Sequence, residues 1–412
     1  MNDGREFDIV LWGATGATGR RAAYHLAARI GDSGLRWAIG GRSAARLKAV
    51  RAGLPQPAQG VPVLVGDSHD AAFMAAMTAR TRVVVSTVGP FALYGSELLA
   101  ACVANGTHYC DLTGESHWMR AMIDAHLPKA QATGARIVFS CGHDSIPSDL
   151  GVFFLQNTAI RRFGQPCKRI ATRITAMKGG FSGGTAASFV NAMETIPNDP
   201  GYTRLMADPY ALNPEGQRQG PDGPDRMMPV SVTYDDDLKI WTNPYFMASM
   251  NAKVVRRSNA LLGYRYGRDF QYQETAATRG GLGGWWAAMR YTLMARAFLT
   301  AMAIPFSRGM LKRHVLPKSG EGPDAETRRA GFYEIVQVGE QPDGRLLKAR
   351  IVGRGDPGVE STTRMLVEAG LCLAEDEANI AVGGGFWTPA SAFGRLLRDR
   401  ITAHAGLSFE LV

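Results

Sequence analysis

The 412-residue chain lacks an Asp or Glu where its second apolar strand ends, lacks any closely spaced cysteine pair, and lacks an unbroken apolar run long enough to cross a bilayer. Its five cysteines (Cys102, Cys110, Cys141, Cys167 and Cys372) are scattered. No C-x-x-C or His/Cys spacing suits a metal, so no metal is expected, and the thiols read as reduced and mostly buried. The opening MNDGREFD is polar and has no secretion-signal core, so the cytoplasm is the expected compartment. There is no internal repeat, and no Ser–His–acid set stands out. A hydrophobic share of 45% with 20% charged residues describes a folded chain, long enough for two domains with their own cores.

What is present begins at Asp8, with DIVLWGATGATGR. Ile9 to Trp12 form a short apolar run of the kind a buried parallel strand shows. Gly13, Gly16 and Gly19 follow, and then a helical pattern through Ala22, Ala23, Leu26, Ala27 and Ile30. A glycine turn between a first strand and a helix is a dinucleotide cradle. Gly13 permits the tight turn, Gly16 leaves room for a pyrophosphate, and Gly19 lets helix and strand touch. Thr15, Ala17 and Thr18 complete the turn. The spacing is G-x-x-G-x-x-G, and its position in the chain carries more weight than the motif.

The second strand, Leu35 to Ile39, ends in Gly40-Gly41-Arg42-Ser43. NAD sites place an acid there to accept from the ribose 2′-hydroxyl. A guanidinium at Arg42, with the Ser43 hydroxyl, suits a 2′-phosphate instead. NADP(H) is therefore the expected cofactor; the alternative is that Arg42 is only a solvated helix-start residue.

Further strands are expected at Val61–Val65, Arg82–Val88, His108–Leu112 and Arg136–Cys141, with helices between them. That alternation implies an α/β fold, a Rossmann-type doubly wound parallel sheet. Ligands bind past the carboxyl ends of such strands, which singles out the loops after each. Thr87, Gly89, Pro90 and Phe91 fall where a nicotinamide would lie, with Phe91 as a wall for the ring. Tyr94 is either a proton donor or a packing residue. Asp111 and Glu115 contact substrate, cap a helix or bind an arginine. His143, Asp144 and Ser145 are adjacent in sequence and cannot form a nucleophilic triad; they frame the cleft. From Gly142 the character changes, with a strand-like run at Arg169–Ala176 and a second glycine turn, Gly179–Thr185. Thr185 either binds an anion or caps a helix. Residues 197–229 read as a long loop, 348–352 as a strand, and 363–368 as strand or helix. Residues 1–142 are thus expected to form the cofactor domain and 143–385 an inserted α+β domain for substrate and homodimer contacts. A closing segment, 386–412, is expected to pack back on the first.

Between Lys253 and Arg313, eleven Lys and Arg oppose only Asp269 and Glu274, which matches the whole chain's net charge of +9. No nucleic-acid reading motif accompanies this segment, so nucleic acid is not expected. Within it lies WWAAMRYTLMARAFLTAMAI, Trp285 to Ile304. Arg290 and Arg296 would each cost roughly 2.5–3.5 kcal/mol at a bilayer centre, which argues against a span. An interfacial helix on an anionic membrane surface, a buried helix and a wall of an acyl pocket all remain open.

GATGATGR, AIGGR, STVGPFALYG, THYCDLTGE and GHDSIPSDLG together resemble the saccharopine dehydrogenase-like oxidoreductases, and in particular the mycobacterial trans-acting enoyl reductases. The likeness extends to Gly355–Gly358 (GDPG) and Thr388–Ala390 (TPA), so it covers nearly the whole chain. It implies an NADP-type domain and hydride transfer to an unsaturated thioester, small or carrier-bound, in lipid assembly. Two other readings stay open: an imine-reducing saccharopine-type dehydrogenase, and a non-catalytic NADP(H)-binding protein associated with lipid or membrane.

Overall fold

The computed structural model describes residues 4–31, 33–195, 199–217, 220, 230–318 and 320–412. Six strands come first: β1 Phe7–Trp12, β2 Trp37–Gly41, β3 Val63–Val65, β4 Thr81–Ser86, β5 His108–Asp111 and β6 Arg136–Val138. Six more follow: β7 Arg169–Lys178, β8 Thr233–Asp235, β9 Ile240–Asn243, β10 Gln271–Ala277, β11 Phe332–Glu340 and β12 Leu346–Arg354. The last two are β13 Gly385–Trp387 and β14 Leu407–Leu411.

The first sheet has the order β13-β6-β5-β4-β1-β2-β3, with every pair parallel. Both faces are covered, which is why its strands read as continuous apolar runs rather than alternating ones. Ile9, Leu11, Val83 and Val85 pack toward helices Ala17–Ile30 and Thr362–Glu375. Val10, Trp12 and Val84 share a second core with helices Ala71–Ala79, Ser96–Ala104 and Ser116–Thr133. The chain order reverses between β1 and β4, and a crevice opens at that point past their carboxyl ends.

The second sheet has the order β14-β12-β11-β7-β10-β9-β8 and is antiparallel except for β7 with β10. Helix Ile146–Phe163 lies on β11 and β12, and helix Ala248–Leu261 on β10. The architecture is α/β, with a doubly wound parallel sheet and a smaller mixed-sheet domain.

The segment 363–368, open between strand and helix, belongs to helix Thr362–Glu375, which covers the first sheet. Its Glu368 is fully buried and pairs with Arg29 at 2.5 Å and Arg400 at 3.2 Å, tying three helices together. Closing residues serve both sheets: β13 extends the first at one edge and β14 the second. Of the expected loop, residues 197–198, 218–219 and 221–229 lie outside the described residues, and Pro200–Ala207 is a helix capped by Asp199. Trp285–Ile304 falls almost wholly in helix Gly281–Ala303, of which only Gly284, Ala288, Thr292 and Met302 are buried. It is not a buried domain helix.

Asp149 joins the parts of the second domain to the TPA turn. It accepts from Ser258 Oγ at 2.5 Å and from the Ala390 amide at 2.8 Å, and burial pushes its carboxyl up to about 7. Asp149→Ala leaves the buried Ala390 N–H unpaired and should cost about 2 kcal/mol of unfolding free energy, read from the shift of the urea midpoint.

Candidate active site

The glycine turn closes on itself through backbone contacts. Gly13 has φ +92°, and a Cβ at Gly19 would lie 2.0 Å from the Gly13 carbonyl oxygen. Thr87 locks the turn from the next strand: its amide donates to Trp12 O at 3.0 Å and its hydroxyl to Gly13 O at 3.1 Å. Gly16 differs from its neighbours. A Cβ there would meet no atom nearer than 3.7 Å, so the space beside it is open. No side chain caps helix Ala17–Ile30, whose first amides therefore face that space. The turn fits a pyrophosphate.

At the end of β2 the exposed Arg42 has no carboxylate partner among the described residues; its guanidinium lies 5.8 Å from the centre of the Tyr94 ring. Ser43 accepts from the Arg46 amide and caps the next helix. Tyr94 also faces His69, with ring centres 5.4 Å apart. It thus stands beside Arg42 and outside the cavity described below. The Phe91 ring is buried against Trp118, so Phe91 offers the crevice its backbone rather than a wall.

Both carboxylates after β5 are fully engaged. Asp111 accepts from the Tyr109 hydroxyl and from the Thr113 and Ser140 amides, which fastens β5 to β6; burial raises its carboxyl to about 7. Glu115 accepts from the Phe91 and Ala92 amides at 2.8 and 2.9 Å and from Ser188 Oγ at 2.7 Å. It fixes the Gly89-Pro90 loop and bridges it to helix Gly183–Thr195 of the second domain.

A cavity of about 120 Å³ lies between the two domains. It starts at Thr18 on the phosphate turn, passes Leu112 after β5, and reaches Gly142, His143 and Asp144 after β6. The second domain supplies Met177, Phe181, Tyr245, Phe246 and the Ser182–Thr185 turn. Phe246 packs edge-on to both Phe181 and Tyr245, so one wall is aromatic. The Thr185 amide donates to Ser182 Oγ at 3.2 Å and the two hydroxyls lie 3.0 Å apart, so Ser182 caps the helix start and Thr185 sits in its first turn.

The His143 amide donates to Thr362 Oγ1 at 3.0 Å, and its ring stands edge-on to Tyr333. Burial pushes the imidazole down to about 3, so it is neutral at ordinary pH. Asp144 has no hydrogen bond or ion pair among the described residues, and burial raises its carboxyl to about 6. Behind it Glu274 accepts from Asn251 at 2.8 Å and from the Tyr272 hydroxyl at 2.7 Å, an internal brace that holds the 142–148 loop through Ser145 and Ser148.

Of the residues expected from sequence, Thr18, His143, Asp144 and Thr185 meet around the cavity. The remaining turn residues with Thr87, Arg42 and Ser43 border the crevice, while Tyr94, Asp111 and Glu115 lie outside the cavity. Sequence reading missed Tyr245, Phe246 and Thr362, which carry no motif of their own. It also missed Gly322, where a Cβ would lie 3.2 Å from that of Ala17; this segment passes over the helix start.

Two substitutions separate binding from folding. Gly16→Ala should melt within about 1 kcal/mol of wild type yet weaken NADPH in a fluorescence titration. Arg42→Ala should lower NADPH affinity about tenfold or more and leave NADH unchanged, since a hydrogen bond to a charged group contributes about 1.5–3 kcal/mol.

Residues 9–138 match the family model for the saccharopine dehydrogenase NADP-binding domain. NADP(H) is accordingly the cofactor of the first domain. A Mycobacterium tuberculosis protein assigned provisionally as a trans-acting enoyl reductase is 40% identical, over 98% of this chain and 97% of its own length. The trans-acting enoyl reductase of Mycobacterium leprae is 38% identical, over 97% and 96%. Among solved structures, the saccharopine dehydrogenase of Saccharomyces cerevisiae shares the fold, with a TM-score of 0.53 at 11% identity over 98% of this chain and 99% of that one. With two-fifths of its residues shared along nearly the full length, the chain belongs to the trans-acting enoyl reductase family of saccharopine dehydrogenase-like oxidoreductases.

Proposed function

We propose that this NADP(H)-dependent oxidoreductase reduces the carbon–carbon double bond of an α,β-unsaturated acyl thioester presented on a carrier or synthase partner. NADPH held in the crevice supplies a hydride. The names of the mycobacterial relatives support the reaction class. The observation that carries the reading is the cavity itself: among the described residues it has an aromatic wall, a neutral imidazole, one carboxyl without a partner, and no Arg or Lys in its lining. A substrate with several carboxylates, as an imine-reducing dehydrogenase of the saccharopine type handles, would need cations there.

Reduction of an enoyl thioester leaves negative charge on the α-carbon and thioester oxygen, which a proton must quench. Asp144 is the group placed to deliver it. Its raised carboxyl retains a proton closer to neutrality than an exposed aspartate does, and Tyr245 stands beside it as a second hydroxyl. His143 offers polarity without charge. Phe181, Phe246 and Met177 give the cavity mouth an apolar surface against which an acyl group can lie.

The sign of the pH dependence follows from the donor's protonated form. With NADPH and crotonyl thioester, kcat should be highest below about pH 6 and fall above it. Asp144→Asn should lower kcat by about 10²–10⁴-fold and flatten that limb, with NADPH affinity kept. A limb that survives in the variant would place the donor elsewhere. No turnover of any enoyl thioester by wild type would remove the reaction class.

A further inference from the structure

Helix Gly281–Ala303 is apolar apart from Arg290 and Arg296, a composition that in a soluble domain suits a largely buried helix. Here eight consecutive residues, Leu293 to Thr300, are exposed, more than two full turns. Leu282 is 80% exposed, Trp286 65% and, on the following helix Pro305–His314, Phe306 79%. That second helix follows the first after Ile304 and buries none of its own residues. Leu293, Met294, Leu299, Met310 and Val315 extend the same apolar surface. So large an exposed patch marks a contact surface.

Its charge says with what. No Asp or Glu occurs between Glu274 and Glu321, while Arg279, Arg290, Arg296, Arg308, Lys312, Arg313 and Lys318 do. Among the described residues, the neighbouring helix Gly183–Thr195 brings one acid to this segment, Glu194, 3.6 Å from Arg308. Arg296 donates to the Val230 carbonyl, and Arg290 lies beside Tyr291. Two copies joined through this face would set cations against cations. A partner that is at once apolar and anionic satisfies both features, and among the described residues no helix is long and apolar enough to span a membrane.

We propose that these two helices form an arm that seats the protein on an anionic phospholipid surface, with apolar side chains among the acyl chains and the cations at the headgroups. The arm sits close to the catalytic cleft. The Phe298 ring stacks on Phe189 of helix Gly183–Thr195, whose first turn lines the cavity. Beyond His314 the chain reaches Gly322, over the phosphate turn, within eight residues. Seating would therefore hold the cavity near lipid-borne acyl chains.

The test is flotation of the full chain with vesicles of phosphatidylcholine alone and with phosphatidylglycerol added. Wild type should float with the anionic vesicles at low salt, release at high salt, and stay down with phosphatidylcholine. Leu282→Glu/Leu293→Glu/Phe306→Glu, all at exposed positions, should abolish flotation while the melting midpoint and NADPH titration stay unchanged. Arg290→Gln and Lys312→Gln should each lower partitioning about fivefold. Failure to float with anionic vesicles at low salt overturns the proposal, as does flotation of the triple-Glu variant like wild type. A dimer that the triple-Glu variant splits, without flotation of either, assigns the face to a second copy. Binding to immobilised polyglutamate without flotation assigns it to an acidic protein. Either result overturns the lipid assignment without touching the enoyl reaction.

Discussion

The architecture rests on one close approach, that of the helix Ala17–Ile30 to the end of β1. The helix packs on the sheet only because residue 19 carries no Cβ, which would lie inside the van der Waals radius of the Gly13 carbonyl. Thr87 hangs from the same carbonyl. Helix, turn and β4 thus converge on one oxygen atom. Their convergence leaves free space beside Gly16 and aims helix amides at it. The tight contact that builds the domain thus also keeps the space beside Gly16 open.

The second organising principle is the fate of the carboxylates. Glu368 is ionised among arginines and ties helices together. Asp111, Asp149 and Glu274 are buried with neutral donors and shifted toward neutrality, holding loops in register. Only Asp144, of those bordering the cavity, is left without a hydrogen bond among the described residues. Burial alone perturbs it, and burial alone does not make a residue functional; its position past the end of β6, opposite Tyr245, is what separates it from its structural counterparts.

The first sheet was legible because both of its faces are covered, so each strand announces itself as an apolar run. The turn Gly13 to Gly19 could be read for a similar reason: a tight strand-to-helix turn follows from local chemistry. β13 was not legible, since its three residues begin on the last glycine of a triplet, and only their pairing with Arg136–Val138 makes them a strand. Half of the cavity was hidden for a related reason. Tyr245 and Phe246 come from a loop of the second domain and Thr362 from the start of a helix far along the chain, and no periodicity tells that these face the first domain's loops. Asp111 and Glu115 show the converse: acids at the right strand end, drawn instead into backbone amides. Tyr94 follows the expected strand closely in sequence, but a short helix turns it toward Arg42.

The path of the last thirty residues constrains how the molecule can breathe. The chain leaves the first sheet after β6, builds most of the second, returns to lay down β13, and departs again to end as β14. The two halves are therefore sewn together by several strands of connection rather than joined by a single hinge. A wide clamshell opening would have to bend all of these links at once. Access to the interdomain space is more economically gained by small sliding of the loops that border it, and a long acyl tether would enter from the side, as thread passes an eyelet, rather than be swallowed by a gaping cleft.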